Sequence, residues 1–320
     1  MKTKTKMILS GLATYVPGLS KRGGTGTGGS VSARYCYSVW LRHLVVAGQA
    51  GLARCPEAVA ELGPGDSLGA GLAALLSGAS RYIALDVIRH ADVSRNIEVL
   101  DELVELFRAR ADIPGEAEYP DVKPYLDDYS FPGEMIDEET LARSLEPDRL
   151  AAVRRCLRSA DGGSDALDAD APVVYRVPWF DASVLQPESV DLVFSQAVME
   201  YVDDLPFTYR AIYDWLKPGG LASHQIDYKC DQTADRWNGH WAYSRPVWHL
   251  ANRKRLMRLN RKAHSDHVRA QQAAGFRIIG ERPIEDRSGL GRDELAPEFS
   301  HLTDEDLRTS GAHILAMKPA

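Results

Sequence analysis

The twelve residues from Ala58 to Gly69, AVAELGPGDSLG, constrain this chain more than any others. Ala58 to Leu62 is a short apolar run carrying one acid, Gly63-Pro64-Gly65 is a turn, and Leu68 to Leu76 has helical spacing. Arg81-Tyr82-Ile83-Ala84-Leu85-Asp86 follows as a second strand that again ends in an acid. A strand, a glycine turn, a helix and a strand in this order call for a parallel sheet with helices packed on its faces.

The same alternation continues downstream. Val173 to Val177 and Val190 to Ser195 read as strands, a helix from Leu205 to Leu216 stops at Lys217-Pro218-Gly219-Gly220, and Leu221 to Asp227 is a further strand. Phe276 to Glu281 and His313 to Lys318 complete a seven-stranded, doubly wound, mostly parallel α/β sheet. Ahead of it, residues 1–54 hold a glycine-rich stretch over 20–30 and a helix from Ala33 to Ala47. Residues 55–320 form the main domain. About 85 residues separate Asp86 from Val173, far more than a βα link needs, so 87–172 is an insertion. It is predicted to hold a helix over Val93–Arg110, an ordered loop over Pro114–Gly133, a single helix over Asp137–Ser159 and a surface loop over 161–171. A basic helix containing Arg253 to Arg255, Arg258, Arg261 and Lys262 is predicted to run to Ala274, with Lys254, Arg258 and Lys262 on one face while Arg253 and Arg255 point elsewhere.

A net charge of −7 argues against a nucleic-acid partner and leaves small molecules ahead. Cys36, Cys55, Cys156 and Cys230 include no Cys-x-x-Cys pair, which removes a zinc knuckle or a disulfide framework and fits a reducing cytoplasm. His264 and His267 have no matching carboxylates, so no metal site is expected. The lysine-rich start and short apolar run of the first residues are broken by Ser10, Gly11, Thr14 and Pro17, so they are not read as a signal peptide. No stretch approaches the roughly 20 apolar residues of a membrane span.

Ligands of such sheets bind beyond the carboxyl ends of the strands. Gly63 and Gly65 let a ligand approach the backbone, and Asp86, about 23 residues past Gly63, has the place and chemistry to accept ribose hydroxyls. Glu61 would repel a pyrophosphate and attract an ammonium group, which favours S-adenosylmethionine over a nicotinamide dinucleotide. The dinucleotide fingerprint also wants glycine at position 68, where Leu68 stands, and Gly69 is one residue late. The plain alternative is a tight turn flanked by two solvated acids.

Four segments in order then carry a resemblance: Glu61-Leu62-Gly63-Pro64-Gly65, Ala84-Leu85-Asp86, Asp191 to Glu200 (DLVFSQAVME), and Leu216-Lys217-Pro218-Gly219-Gly220-Leu221. Together they make the chain similar to class I S-adenosylmethionine-dependent methyltransferases, with the Rossmann-like fold of that family. The resemblance implies Glu61, Gly63 and Gly65 at the methionine part of the cofactor, Asp86 at the ribose, Asp181 and Ala182 at the adenine, and Ser195 with Gln196 beside the sulfonium. Tyr201 stands where many relatives have histidine.

Methyl transfer needs an aligned acceptor and a closed site. Three pieces are expected to cover it: the N-terminal segment with Tyr35, Tyr37 and Trp40, the insertion, and an acceptor loop over about 228–250. The stretch His224 to Tyr243, with Trp237, Asn238, Trp241 and Tyr243, suggests a small-molecule or glycan-like acceptor methylated at oxygen, and His224, Asp227 and His240 are the candidate bases. A nitrogen or carbon acceptor, an NAD(P)-dependent oxidoreductase and a non-catalytic cofactor-binding protein are the alternatives. Nothing in the sequence sets the oligomeric state.

Overall fold

A computed structural model describes residues 29–160, 171–230, 233–252 and 258–320. In chain order the elements are α1 (Ala33–Gln49), β1 (Ala58–Leu62), α2 (Gly69–Leu76), β2 (Arg81–Leu85), α3 (Val93–Arg108), α4 (Glu138–Ser144), α5 (Pro147–Ala160) and β3 (Val173–Arg176). They continue with β4 (Val190–Gln196), α6 (Leu205–Trp215), β5 (Leu216–Asp227), α7 (Arg245–Asn252), α8 (His264–Ala274), β6 (Arg277–Glu285) and β7 (Thr309–Met317). The strands form one seven-stranded sheet in the order β3-β2-β1-β4-β5-β7-β6. Strands β1 to β5 pair in parallel, and β7 runs antiparallel between β5 and β6. Strand order reverses between β1 and β4, so the carboxyl ends of these two strands open the crevice.

Because strand side chains alternate, each strand feeds two cores. Val59, Tyr82, Leu192, Phe194 and Leu221 pack under α1, α2 and α3, while Ala60, Ile83, Val193, Ala222 and Ile314 pack under α6 and α8. This two-sided burial explains why the central strands read as nearly unbroken apolar runs. Among the described residues no helix is long and apolar enough to cross a membrane, and no histidine, cysteine and carboxylate group could hold a metal. The four cysteines are free.

Several expectations change. The helix anticipated over Asp137–Ser159 is two helices, because Pro147 lacks the N–H a continuous helix needs and instead opens α5. The basic helix does not extend through 258–262: α8 begins at His264, and Arg258 pairs with Asp203 at 3.0 Å. Arg261 has φ of +61° and is buried, donating to the carbonyls of His240 and Tyr243 and to Glu298. Arg253, Lys254 and Arg255 lie outside the described residues, as do most of the glycine-rich stretch and nearly all of the 161–171 loop.

Helix α1 packs deep into the core. Tyr37 and Trp40 are fully buried, donating to the Ala111 carbonyl and to Ser77 Oγ. Arg42, also fully buried, donates to Ser38 Oγ and to the carbonyls of Pro114, Val122 and Pro124, and its guanidinium lies 4.9 Å from the centre of the Tyr129 ring. No ion pair to a carboxylate is among these contacts. Arg42 thereby fastens the 114–129 part of the insertion onto α1.

Candidate active site

The turn after β1 is built by its glycines. Gly63 and Gly65 hold φ of +64° and +77°, which side chains resist, and a Cβ on Gly63 would meet Val198 at 2.6 Å. Residues from four places line the cleft beside it: Ser30, Tyr35, Cys36 and Val39 from α1 and its approach, Glu61, Gly63, Pro64 and Gly65 from the β1 turn, Asp86, Val87, Ile88 and His90 after β2, and Gln196, Ala197, Val198 and Tyr201 after β4. Ser30 ties the first group to the second, since its Oγ accepts the Asp66 N–H at 2.8 Å and its carbonyl accepts Ser67 Oγ.

Glu61 is 4% exposed and accepts a 2.5 Å bond from the Tyr82 hydroxyl. Burial lifts its carboxyl to about 8, although the Tyr82 bond pulls the other way. Tyr82 reaches it by lying across Gly71, where any Cβ would overlap the ring. Asp86 accepts the N–H groups of Val87 and Ile88 through Oδ1, and burial raises its carboxyl while these N–H groups oppose the rise. The Cys36 thiol is pushed up to about 12 by burial, which leaves it an inert lining group.

Two more cavities adjoin the cleft on the far side of β4. One, of about 280 Å³, shares Gln196 and Ala197 with the cleft and adds Asp121, Lys123, Gln225, Asp227 and Lys229. The other, of about 410 Å³, shares Tyr201 with the cleft and Asp227 with Lys229 with the smaller cavity, and is closed by Asp235, Arg236, Trp237 and Leu259. Asp227 sits at the junction, with Oδ1 accepting the Lys229 N–H at 2.9 Å.

The cleft thus gathers Glu61, Gly63, Gly65, Asp86 and Gln196, and Asp227 lines the adjoining cavities. The other sequence-derived candidates lie elsewhere. Ser195 and His224 face the α6 and α8 side of the sheet, where Ser195 Oγ bonds His224 Nδ1 at 2.8 Å and the His224 ring packs 5.8 Å from Tyr209. Ser195 cannot share a face with Gln196, its neighbour in the strand. Both His224 and His240 are buried and pulled down to about 3 by that burial. His240 is packed against Trp241, and neither imidazole lines a cavity described above. Asp181 is exposed and caps a short 3-10 turn by accepting the Ser183 N–H, while the Ala182 carbonyl accepts Trp215 Nε1, so neither lines the cleft. Most of the 228–250 loop is structural. Trp237 and Trp241 donate to the carbonyls of Asp286 and Arg261, and Asn238 clamps Leu290 through both amide atoms. Sequence reasoning missed Ser30, Cys36, His90, Tyr82 and Gly71, and only the proximity of Tyr82 to Asp86 in the sequence hinted at one of them.

This strand order, with its antiparallel β7 and a glycine-turned cleft over the switch point, is a Rossmann-like α/β fold. A family model described as a methyltransferase domain matches residues 143–223, from the end of α4 through β3, β4 and α6 into β5. Over those residues the chain carries a methyltransferase domain, of the kind that takes S-adenosylmethionine. No curated protein matches it. Among solved structures it is similar to an S-adenosylmethionine-dependent methyltransferase from Mesorhizobium loti, at 13% identity, covering 86% of this chain and 96% of that one with a TM-score of 0.38. It is also similar to phosphoethanolamine N-methyltransferase 2 of Haemonchus contortus in complex with S-adenosyl-L-methionine, at 15% identity, covering 94% of this chain and 59% of that one with a TM-score of 0.44.

Proposed function

We propose that this enzyme methylates a hydroxyl oxygen of a small polar acceptor, glycan-like compounds included, held in the two cavities around Asp227. The observation that carries this reading is the position of Asp227 and Lys229, which line both cavities, while Gln196 and Ala197 join the smaller one to the cofactor cleft. Bound S-adenosylmethionine supplies an electrophilic methyl group on a sulfonium. Glu61 lies where it would take the cofactor's ammonium group, the backbone at Gly63 and Gly65 gives close approach, and Asp86 accepts the ribose hydroxyls.

Transfer of that methyl group to the acceptor oxygen would leave S-adenosylhomocysteine and a methyl ether. The hydroxyl proton passes to the Asp227 carboxylate and from there to water. Asp227 inherits the base role because His224 and His240 are buried in the cores, and Trp237 offers the larger cavity an aromatic face against which a sugar ring can stack.

Labelled S-adenosylmethionine and a panel of sugars, nucleotide sugars and phenolics test the reading. Asp227→Asn should lower turnover by about 10² to 10⁴, the range of a lost general base, with S-adenosylhomocysteine affinity unchanged. Methyl transfer confined to amines, or full turnover in this variant, would refute it.

A further inference from the structure

A chain of hydrogen bonds runs through the core from β7 to the cleft. His313 Nε2 lies 2.9 Å from Ser223 Oγ, Ser223 Oγ lies 2.7 Å from His43 Nδ1, and His43 Nε2 lies 3.3 Å from Gln196 Oε1. The far end sets its direction. His313 Nδ1 is buried with no partner among the described residues. An orphaned N–H is rarer in proteins than an under-used acceptor, so this nitrogen carries the lone pair and Nε2 carries the proton. His313 then donates to Ser223, Ser223 donates to His43 Nδ1, and His43 donates through Nε2 to the Gln196 carbonyl. The amide NH2 of Gln196 is left to face the junction of cleft and cavity, with no bond inside the described protein. Burial keeps both imidazoles neutral, holding His43 at about 4 and His313 well below its ordinary value, so the direction survives across the working pH range.

A second amide stands beside the first. Gln225 is the register partner of Gln196 across β4 and β5, and both line the smaller cavity. Its NH2 donates to the Ile226 carbonyl at 3.3 Å, which leaves Oε1, buried and without a partner among the described residues. One amide offers a donor and its neighbour an acceptor. A hydroxyl needs both, since it accepts through a lone pair and donates its proton.

Resting on the O-methyl reading above, we propose that Gln196 and Gln225 are a hydroxyl-recognising pair, Gln196 donating to the acceptor oxygen and Gln225 accepting its proton in a hydrogen bond. His43, Ser223 and His313 are positioning residues that hold Gln196 in this orientation. Asp227, two residues beyond Gln225 on the same strand face, then receives the proton that Gln225 cannot keep.

Nitrogen-15 NMR of histidine-labelled protein reads the tautomers directly. Both His43 and His313 should be Nε2–H from pH 5.5 to 8, and Ser223→Ala should relax His43 into a mixture, a signature that a packing role alone would not produce. His43 as the Nδ1–H tautomer in the native protein overturns the proposal. In the labelled-cofactor assay at saturating cofactor, Gln196→Glu, which keeps the carbonyl for His43 but replaces the outward donor, should cut transfer to panel hydroxyls at least tenfold. Gln225→Leu should do the same. Undiminished transfer in both variants overturns the pair. If the methyl group is found on nitrogen or carbon instead, the O-methyl reading fails while the tautomers still report the orientation of Gln196.

Discussion

Cofactor binding should be coupled to the proton on Glu61. In the free enzyme burial holds this carboxyl at about 8, so about nine molecules in ten carry the proton at pH 7. An ammonium group beside Glu61 favours the ionised form, and binding therefore expels the proton. Affinity should rise about tenfold per pH unit between about pH 6 and 7.5, equal to about 1.4 kcal/mol per unit. Above that window Glu61 is already ionised in the free enzyme and the slope levels off. Calorimetric titration of S-adenosylhomocysteine in buffers of different ionisation enthalpy counts the protons directly, and about 0.9 should be released per site at pH 7. Tyr82→Phe removes the hydrogen bond that favours ionisation, lifts the carboxyl further and should weaken binding at pH 7. Glu61→Gln should abolish both proton release and slope. A flat profile in the native enzyme, or an unchanged slope in Glu61→Gln, refutes the assignment of Glu61 to the ammonium group.

Three further outcomes follow from the packing. His43, His224, His240, His267 and His313 are all depressed by burial, so the unfolded chain binds more protons below about 6.5 and stability rises with pH up to there, by about 2 kcal/mol per histidine between pH 5 and 6.5. Glu61, raised from 4.5, has the opposite sign and lowers stability as pH rises toward 8, so thermal melts of the free enzyme should peak near pH 7; a plateau reaching down to pH 5 would contradict this. Gly71→Ala would drive a methyl group into the Tyr82 ring and should destabilise the protein by about 1 to 3 kcal/mol while weakening S-adenosylhomocysteine binding, and a variant with native melting and binding would show that the ring can move aside. Arg42→Met strands three buried carbonyls and should cost at least about 3 kcal/mol by urea unfolding, with new proteolytic cleavage between residues 114 and 129.

The glycine-turned cleft was legible because backbone needs dictate residue type there: positive φ after β1 asks for glycine, and the acids at the ends of β1 and β2 both line it. The acceptor half was not, because strand periodicity says that neighbours face apart without saying which face holds the ligand. Ser195 and Gln196 were both expected beside the sulfonium, yet as strand neighbours they face apart, and only Gln196 lines the cleft. His224 and His240 have the chemistry of bases in sequence, yet tertiary packing consumes both. The missing helix at 258–262 has a similar cause. Asn260 turns its amide to the carbonyls of Met199 and Val202, and Arg261 turns inward over the Trp248 and Phe299 rings, so contacts made far along the chain override local periodicity.

Helix α1 carries a consequence for the order in which the molecule assembles. Its Arg42 takes carbonyls 72, 80 and 82 residues downstream, and its His43 waits for Ser223, 180 residues away. The helix can pack early on α2 and α3, through Trp40 on Ser77 and Tyr37 on Phe107, but its His43 contact must wait for β5. Seating of α1 is therefore completed in two stages, local helix packing first and the long-range β5 contact last.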